Sequence, residues 1–581
     1  MEEKLQNKRH TLAHLLAASV LELYPDVKLT LGPAIDNGFY YDMEFSTPLS
    51  EDELIKIENK MKELLPKWTE FTHEEKTKEE AEQYFVQNPY KLELIKEIAE
   101  KGEKITFYTC GGFTDLCRGG HSEHPAEEIA PDSFNLDRVA GAYWRGDEKN
   151  KMLTRIYGLA FENKTELDAF IHQREEARKR DHKKLGKELG LFVFSELVGS
   201  GLPLWTPKGT VMRELLNDYV WNLRKVRGYQ KVCIPHITKK ELYETSGHWA
   251  KYADDLFKIV TREEHLFAMK PMNCPHHTQI FDSEPRSYRD MPQRYAETTM
   301  VYRDEQSGEL SGLSRVLSIT QDDAHVFCRE NQIEEEAMKI WGIIEEFYGK
   351  FGFTLQVRFS RHDPSTRDKY LGSDEVWEKA ENALKNLMQK KGVEWIDGIG
   401  EAAFYGPKID FISRDSIGRV LQVATIQLDF NQPKNFGLVC TNEKGEREQV
   451  VMIHAAIMGS IERFMSTLIE HLAGAFPVWL SPIQVAVVPV RADQHGDKAH
   501  ELAAKLREKD IRVELYESDT SLGKRIHEAK SMKTPYVIVL GDKEVASGNL
   551  TIEKRDGTKE EISVDAFIER LEKEVKEKTL N

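Results

Sequence analysis

The sequence predicts a multidomain protein of mixed α+β and α/β class. Three observations lead there. The 581 residues amount to roughly three or four domains' worth of chain. Strand-like runs separated by two long helical patterns fill the middle of the chain, as expected of an α+β unit built on a mainly antiparallel sheet. From Ser481 onward strands and helices alternate, the mark of a small three-layer α/β domain.

The first part, residues 1–178, opens with a helix in "KRHTLAHLLAASVLELY", where Leu12, Leu15, Leu16 and Val20 fall on one face. Short strand-like runs and a loop-rich stretch around "CGGFTDLCRGGH" follow. The segment "KTELDAFIHQREEARKRDHKKLGKELGLF" is highly charged with sparse apolar positions, which suits a solvated connecting helix.

The second part, residues 179–480, contains an amphipathic helix carrying Val211, Met212, Leu215, Leu216, Tyr219, Val220, Leu223 and Val226. Gly228 ends it, and a short strand runs into Pro235. Strand-like runs follow in "HLFAMK", "TTMVYR", "VLSIT", "AFYGPKIDFIS" and "RVLQVATIQLDF", with helical patterns near 331–351 and 373–391. The third part, residues 481–581, alternates "IQVAVVPV", "DKAHELAAKLREK", "IRVELYE", "LGKRIHEAKS" and "YVIVLG". A hairpin turning at Asp556-Gly557 and a last helix complete it.

Composition excludes several classes of function. A hydrophobic content of 40% with 31% charged residues describes a folded globular chain. The longest apolar candidate, "HAAIMGSIERFMSTLIEHLAGAF", is broken by Glu462, Arg463 and Glu470, short of the roughly 20 residues needed to span a bilayer. No membrane partner is expected. The charged start "MEEKLQNKRH" lacks a signal region, and the six cysteines, none in CxxC spacing, build no disulfide framework. A cytoplasmic location is expected. The net charge of −17 argues against binding nucleic acid over the whole surface, so an RNA partner has to be argued from motifs.

In "AMKPMNCPHHTQIF", Cys274 has no second cysteine nearby to form a local zinc knuckle. It is either an ordinary buried thiol or a ligand whose partners come from far along the chain. In "VYRDEQSGELSGLSRVLSITQDDAHVF", two strand-like ends enclose a Ser/Gly-rich loop with Arg303 and Arg315, a composition suited to paired guanidinium–phosphate contacts. In the first part, His10 and His14 lie at i, i+4 on one helix face, and "CRGGH" adds Cys117 and His121. The spacing resembles a zinc site but not a zincin, because Thr11 stands where that motif needs its glutamate.

Taken in order, these segments resemble a known family. "YRDEQSGELSGLSRV…TQDDAHVF" is similar to motif 2 of class II aminoacyl-tRNA synthetases and "IHAAIMGSIERF" to motif 3. With "MKPMNCP" and "AFYGPKIDF" they resemble the threonyl-tRNA synthetases over essentially the whole chain. The resemblance implies an N-terminal α+β editing domain with its linker helix, a class II catalytic domain on an antiparallel sheet, and a C-terminal α/β anticodon-binding domain. The ubiquitin-like domain usual at the family's N-terminus is expected to be missing, since the sequence begins at the editing segment.

The same resemblance implies one Zn²⁺ per subunit, held by Cys274, His325 and His454, with a fourth position open to the amino and hydroxyl groups of L-threonine. Asp323 would accept hydrogen bonds from those groups, and His276 and His277 match no ligand position. Arg303 would sit on the α-phosphate of ATP and Arg463 on the γ-phosphate. Glu305 would read the adenine amino group and Arg315 contact the phosphate tail. Gln321, Tyr405, Lys408, Gln422, Gln427 and Met272 would line or shape the substrate pocket, and Mg²⁺ would accompany ATP. Ile319, Leu317, Val423 and Ala424 depart from the residues usual there (phenylalanine, arginine, cysteine and glycine).

For editing, the resemblance implies that His10, His14, Cys117 and His121, with Asp115 and Lys91, hydrolyse seryl-tRNA(Thr) by positioning water without a required metal. Tyr40 or Tyr41 is expected to line that pocket. In the last domain Glu544 matches an anticodon-contacting position, while Asp519, Lys533 and Glu553 replace Asn, Arg and Arg. The helix before Gly228 resembles motif 1, so a homodimer is expected, with tRNA(Thr) as the macromolecular partner. An RNA-binding regulator without catalysis and a deacylase using only the first domain remain as alternatives.

Overall fold

The structure is a computed structural model and describes residues 2–414 and 418–580. Its contacts divide the chain into two compact units between Glu175 and Glu176.

In the first unit the helix Glu2–Leu23 buries the predicted stripe: Leu12, Leu15, Leu16 and Val20 are removed from water. They pack with Ile57 and Met61 of helix Leu54–Leu64 and with Phe39, Tyr41 and Met43 of strand Gly38–Glu44. That strand lies in a five-stranded sheet with Phe134–Tyr143 and Met152–Ala160. A separate antiparallel sheet, Thr72–Lys76, Ile105–Cys110 and Phe113–Leu116, delivers Asp115 and then Cys117. Helix Lys164–Arg180 buries only Leu167, as its charged sequence predicts.

The second unit is organised by an eight-stranded sheet. Its central order is Gln293–Tyr302, Ser318–Cys328, Val451–Ser460, Val420–Asp429, Lys408–Arg414, Leu355–Arg361, with every neighbouring pair antiparallel. Only the two-residue strand Gln230–Lys231 and the edge strand Trp395–Ile399 pair in parallel. The two predicted helices are Ile333–Gly349 and Asp374–Lys391. The amphipathic helix Pro207–Lys225 buries Met212, Leu216, Tyr219, Val220 and Leu223. "HLFAMK" departs from the expected arrangement, forming Leu266–Met269 in a small sheet with Ile237–Lys239 and Lys258–Val260.

The alternation beyond Ser481 yields a five-stranded sheet in the order Val513–Leu515, Val485–Pro489, Tyr536–Leu540, Asn549–Lys554, Lys559–Ser563. The first three strands run parallel and the last two extend the sheet as an antiparallel hairpin. Period-two alternation sends Val485 and Val487 to one face, beneath helices Ala492–Arg507 and Val564–Glu577. Ala486 and Val488 face the other way, toward helix Leu522–Ser531. Helix, sheet and helix make the expected three layers.

Candidate active sites

Sheet register explains why three residues far apart in sequence meet. His325 and His454 are direct cross-strand partners, and Gln427 pairs with His454 on the next strand. Cross-strand neighbours stand about 5 Å apart at Cβ, so one row of the sheet presents all three side chains together. Cys274 arrives from the first position of helix Cys274–Asp282. The Cys274 sulfur and one nitrogen of each histidine lie within 4.8 Å of one another, and all three residues are buried.

The surrounding groups aim these donors. His325 Nδ1 is 2.8 Å from His277 Nδ1, which leaves Nε2 facing His454 Nδ1 at 3.1 Å. His454 Nε2 lies 3.1 Å from Asp429 Oδ2. Asp429 is itself fixed by the N–H groups of Asn431 and Gln432 at 2.7 and 2.9 Å. Two nitrogens on one tetrahedral zinc, each about 2.0–2.1 Å from the metal, stand about 3.3 Å apart. The Cys/His/His set therefore fits such an ion in geometry and donor type, with room for a fourth ligand. Burial pushes the Cys274 thiol up and His325 down, so both are neutral until a cation displaces the thiol proton.

A small cavity of about 40 Å³ opens on these donors, lined also by Met272, Gln321, Asp323, Tyr405, Thr425 and Gln427. Asp323 accepts from Asn273 Nδ2 at 3.0 Å, and burial raises its carboxyl pKa. Tyr405 donates to Gln427 Oε1. Gln321, Thr425 and Ala456 also line a second, larger cavity of about 840 Å³, so the two spaces share a wall. Around the large cavity stand Arg303, Glu305, Arg315, Gln422 and Arg463. Arg303 lies over the Tyr252 ring at 5.7 Å, and Arg463 lies in the first turn of helix Ile461–His471, its N–H donating to the capping Ser460 hydroxyl. Three guanidinium groups beside a space of nucleotide size suit a polyphosphate.

The first unit carries a second cluster. His14 Nε2 is 3.3 Å from His10 Nε2, and Cys117 Sγ is 3.6 Å from His10 Nε2 and 3.3 Å from His121 Nε2. Asp115 is buried beneath them, 2.5 Å from Lys91 Nζ and 3.3 Å from His14 Nδ1, and accepts from the Tyr41 hydroxyl at 2.6 Å. Burial pulls the His14 pKa down, yet its bonds to Asp115 and Cys117 prevail and raise it to about 9. Burial pushes the Cys117 thiol up, but His10, His121 and His14 outweigh it and bring it down to about 3. These shifts favour a thiolate–imidazolium pair, and His10, His14 and Cys117 line a cavity of about 330 Å³.

Similarity to known proteins agrees with this architecture. Residues 257–472 match the family described as the tRNA synthetase class II core domain (G, H, P, S and T), and residues 484–574 match the anticodon binding domain. A threonine–tRNA ligase of Rubrobacter xylanophilus is 47% identical over 577 residues, covering 99% of this chain and 89% of that protein. The chain belongs to the threonine–tRNA ligase family. Another member, from Thermotoga petrophila, is 45% identical over 98% of this chain and 88% of its own. Among solved structures, the RNA binding domain of threonyl-tRNA synthetase from Cryptosporidium parvum superposes with a TM-score of 0.65. It is 35% identical, covering 69% of this chain and 99% of that one. The Aeropyrum pernix threonyl-tRNA synthetase ThrRS-1 gives a TM-score of 0.61 at 31% identity, covering 69% and 97%.

Set against the residues expected of a threonine–tRNA ligase, the structure makes several distinctions. Tyr41 lines the first-unit cavity, whereas Tyr40 turns to the opposite face of its strand beneath Arg155, at 3.8 Å. Lys408 lines neither catalytic cavity: it pairs at 2.9 Å with the buried Asp410. Asp410 also accepts from Gln422 Nε2 at 2.8 Å, so Lys408 meets the cavity wall through another side chain. Arg315 pairs with Glu305 and Glu309 at 2.6 and 2.9 Å. Ile319, Val423 and Ala424 lie on the large cavity wall, while Leu317 does not.

Glu544 accepts from Gly541 N–H at 3.1 Å and the Thr551 hydroxyl at 2.7 Å. Lys533 donates to the Ala473 carbonyl, and Glu553 is paired with Lys530. His277, Asp429, Gln432 and Asn273 were not singled out from sequence as parts of the threonine–tRNA ligase site. A signal existed for Asp429: two residues beyond Gln427 on one strand, it shares Gln427's face.

Proposed function

We propose that this chain activates L-threonine with ATP, transfers it to tRNA(Thr), and hydrolyses mischarged seryl-tRNA(Thr) in its first unit. One observation carries the reading: the Cys274/His325/His454 donors face a small pocket that shares Gln321, Thr425 and Ala456 with the arginine-lined cavity. An amino acid held in the first space presents its carboxylate to an α-phosphate in the second. In this reading residues 1–178 edit, 179–480 activate and transfer, and 481–581 contact the anticodon through a surface that includes Glu544.

Cys274, His325 and His454 would hold a Zn²⁺ ion, which would supply an open ligand position selective for a hydroxyl-bearing amino acid. Asp323 accepts from the substrate's amino and hydroxyl groups, with Met272, Gln321, Tyr405 and Gln427 closing the pocket. Valine matches threonine in shape but leaves those polar groups unsatisfied, a defect worth on the order of 10⁴-fold in discrimination. Arg303 and Arg463 neutralise the α- and γ-phosphates, Glu305 reads adenine, and Arg315 exchanges its carboxylate partners for the phosphate tail. Lys408 and Gln422 shape the wall through Asp410, and Mg²⁺ accompanies ATP.

Serine keeps the hydroxyl and lacks one methyl, which a pocket resolves by only about 10–200-fold. A second hydrolytic site answers that deficit. Its acid–base groups are His10, His14, Cys117 and His121, set on the buried Lys91–Asp115 pair. The chain acts in the cytoplasm; among the described residues no helix is long and apolar enough to cross a membrane. It acts as a homodimer, a reading supported by Phe194, Leu197 and Leu204, which flank the motif 1 helix and expose 42%, 99% and 41% of their surfaces.

The test is ATP–pyrophosphate exchange with threonine, serine and valine in parallel. Exchange is expected with threonine, weaker exchange with serine, and none above background with valine. Absence of threonine-dependent exchange by zinc-replete protein would sink the reading.

A further inference from the structure

We propose that His277 and Glu297 are positioning residues that fix the tautomer of His325, and so decide which ring nitrogen it offers to the metal. This rests on the reading of Cys274, His325 and His454 as the ligand set. For His325 to present a lone pair at Nε2, its hydrogen must sit on Nδ1. The atom facing that hydrogen, at 2.8 Å, is His277 Nδ1, which must then accept. A neutral imidazole that accepts at Nδ1 carries its own hydrogen on Nε2. His277 Nε2 lies 4.0 Å from Glu297 Oε2, and an ionised carboxylate only accepts.

In the metal-free chain His454 Nδ1 competes, lying 3.1 Å from His325 Nε2 with its own ring hydrogen directed to Asp429; a metal between those two nitrogens takes both lone pairs and leaves the Glu297 side to set the order. His277 Nε2 and Glu297 Oε2 are both buried and have no hydrogen-bond partner of their own. His277 is 0% exposed and Glu297 7%. Glu297 cannot turn away, because its Oε1 accepts the Ile234 N–H at 3.2 Å. With a metal in place the polarity runs inward from carboxylate to His277, to His325, to the metal position. His454 has the shorter form of the same device, with Asp429 directly on its Nε2. Each candidate histidine ligand is backed by a carboxylate, Asp429 at hydrogen-bond distance and Glu297 at 4.0 Å from the interposed imidazole.

The isosteric Glu297→Gln variant distinguishes orientation from packing. The Ile234 N–H retains the amide oxygen, so the amide nitrogen faces His277 and donates to its Nε2. The order then reverses: His277 Nδ1 donates to His325 Nδ1, and the His325 hydrogen moves to Nε2, where the metal must bind. Zinc affinity of the full-length chain, measured by competition with a chromophoric chelator, is expected to fall by about 10–100-fold. The visible spectrum of the Co²⁺-substituted chain is expected to shift. His277→Leu, which removes the acceptor, should lose affinity similarly, while His277→Gln, which can accept through its amide oxygen, should retain it.

Circular dichroism identifies variants that remain folded, and the two His277 variants carry the test if Glu297→Gln does not. Parent-like zinc affinity and Co²⁺ spectra in Glu297→Gln and His277→Leu would overturn the proposal. Failure of the parent chain to bind zinc would instead overturn the ligand set on which it rests.

Discussion

Arg224 and Asp322 form an ion pair inside the catalytic sheet, their side chains only 3% and 0% exposed. Arg224 comes from the last turn of helix Pro207–Lys225, and Asp322 from strand Ser318–Cys328. Asp322 Oδ2 accepts the N–H groups of Ile457 and Met458, each at 3.0 Å. Those residues lie where the pairing with strand Val451–Ser460 shifts register between Asp322 and Ala324. Arg224 also donates to the carbonyls of Asp323 and Ala455, at 3.5 and 3.3 Å. The pair thus fixes the backbone at Asp323, the proposed substrate residue, and beside His454, a proposed metal ligand.

Arg224→Met leaves the Asp322 carboxylate buried without its cation, which costs about 3–5 kcal/mol. Urea unfolding should report that loss, and the KM for threonine should rise because Asp323 and His454 lose their support. Wild-type stability in the variant would refute the role given to the pair.

Ionisation in the first-unit cluster gives a pH signature. His14 is held above its unfolded value of 6.5, so its contribution to stability is full below that pH and is lost as pH rises through about 9. Cys117 is held below its unfolded value of 9.0, so its contribution is present above that pH and disappears as pH falls through about 3. Between the two folded values the thiolate persists. Alkylation of Cys117 by iodoacetamide, followed by mass spectrometry, should therefore vary little between about pH 5 and pH 8. A Cys117 rate that climbs about tenfold per pH unit across that range would contradict the ionised pair.

Cys274→Ser should reduce bound zinc from one per chain to near zero and abolish threonine-dependent exchange. His276→Ala, two residues along the same helix, should keep both, because neither His276 ring nitrogen has a hydrogen-bond partner. Metal analysis of the two purified variants decides between them. Zinc retained in Cys274→Ser would remove the sulfur from the ligand set.

His10→Ala should leave charging with threonine intact and let seryl-tRNA(Thr) accumulate, since among the described residues the hydrogen-bond partners of His10 are the Cys117 cluster and the Gly120 carbonyl. Deacylation of preformed seryl-tRNA(Thr) measures it. Serine cleared at the parental rate would refute the editing assignment.

Patterns written in local chemistry were legible without coordinates. The helix face of Leu12, Leu15, Leu16 and Val20, the two long helices of the second unit and the alternation after Ser481 follow from apolar periodicity. The motif arginines and the three candidate metal ligands were found because they sit in segments whose composition and order are distinctive. Sequence by itself thus determined the kinds of element, their order and the family. Tertiary structure alone decided which side chains meet. His325 faces His454 because of strand register, and His277, Glu297 and Asp429 acquire the roles proposed for them only from packing behind the candidate ligands. Tyr41 rather than Tyr40 reaches the first-unit cavity because adjacent strand residues point to opposite faces. Lys408, expected to line or shape the substrate pocket, lines neither cavity and pairs instead with Asp410. Periodicity depends on residues a few positions apart, whereas a buried polar network is set by register and packing between segments that local sequence does not connect.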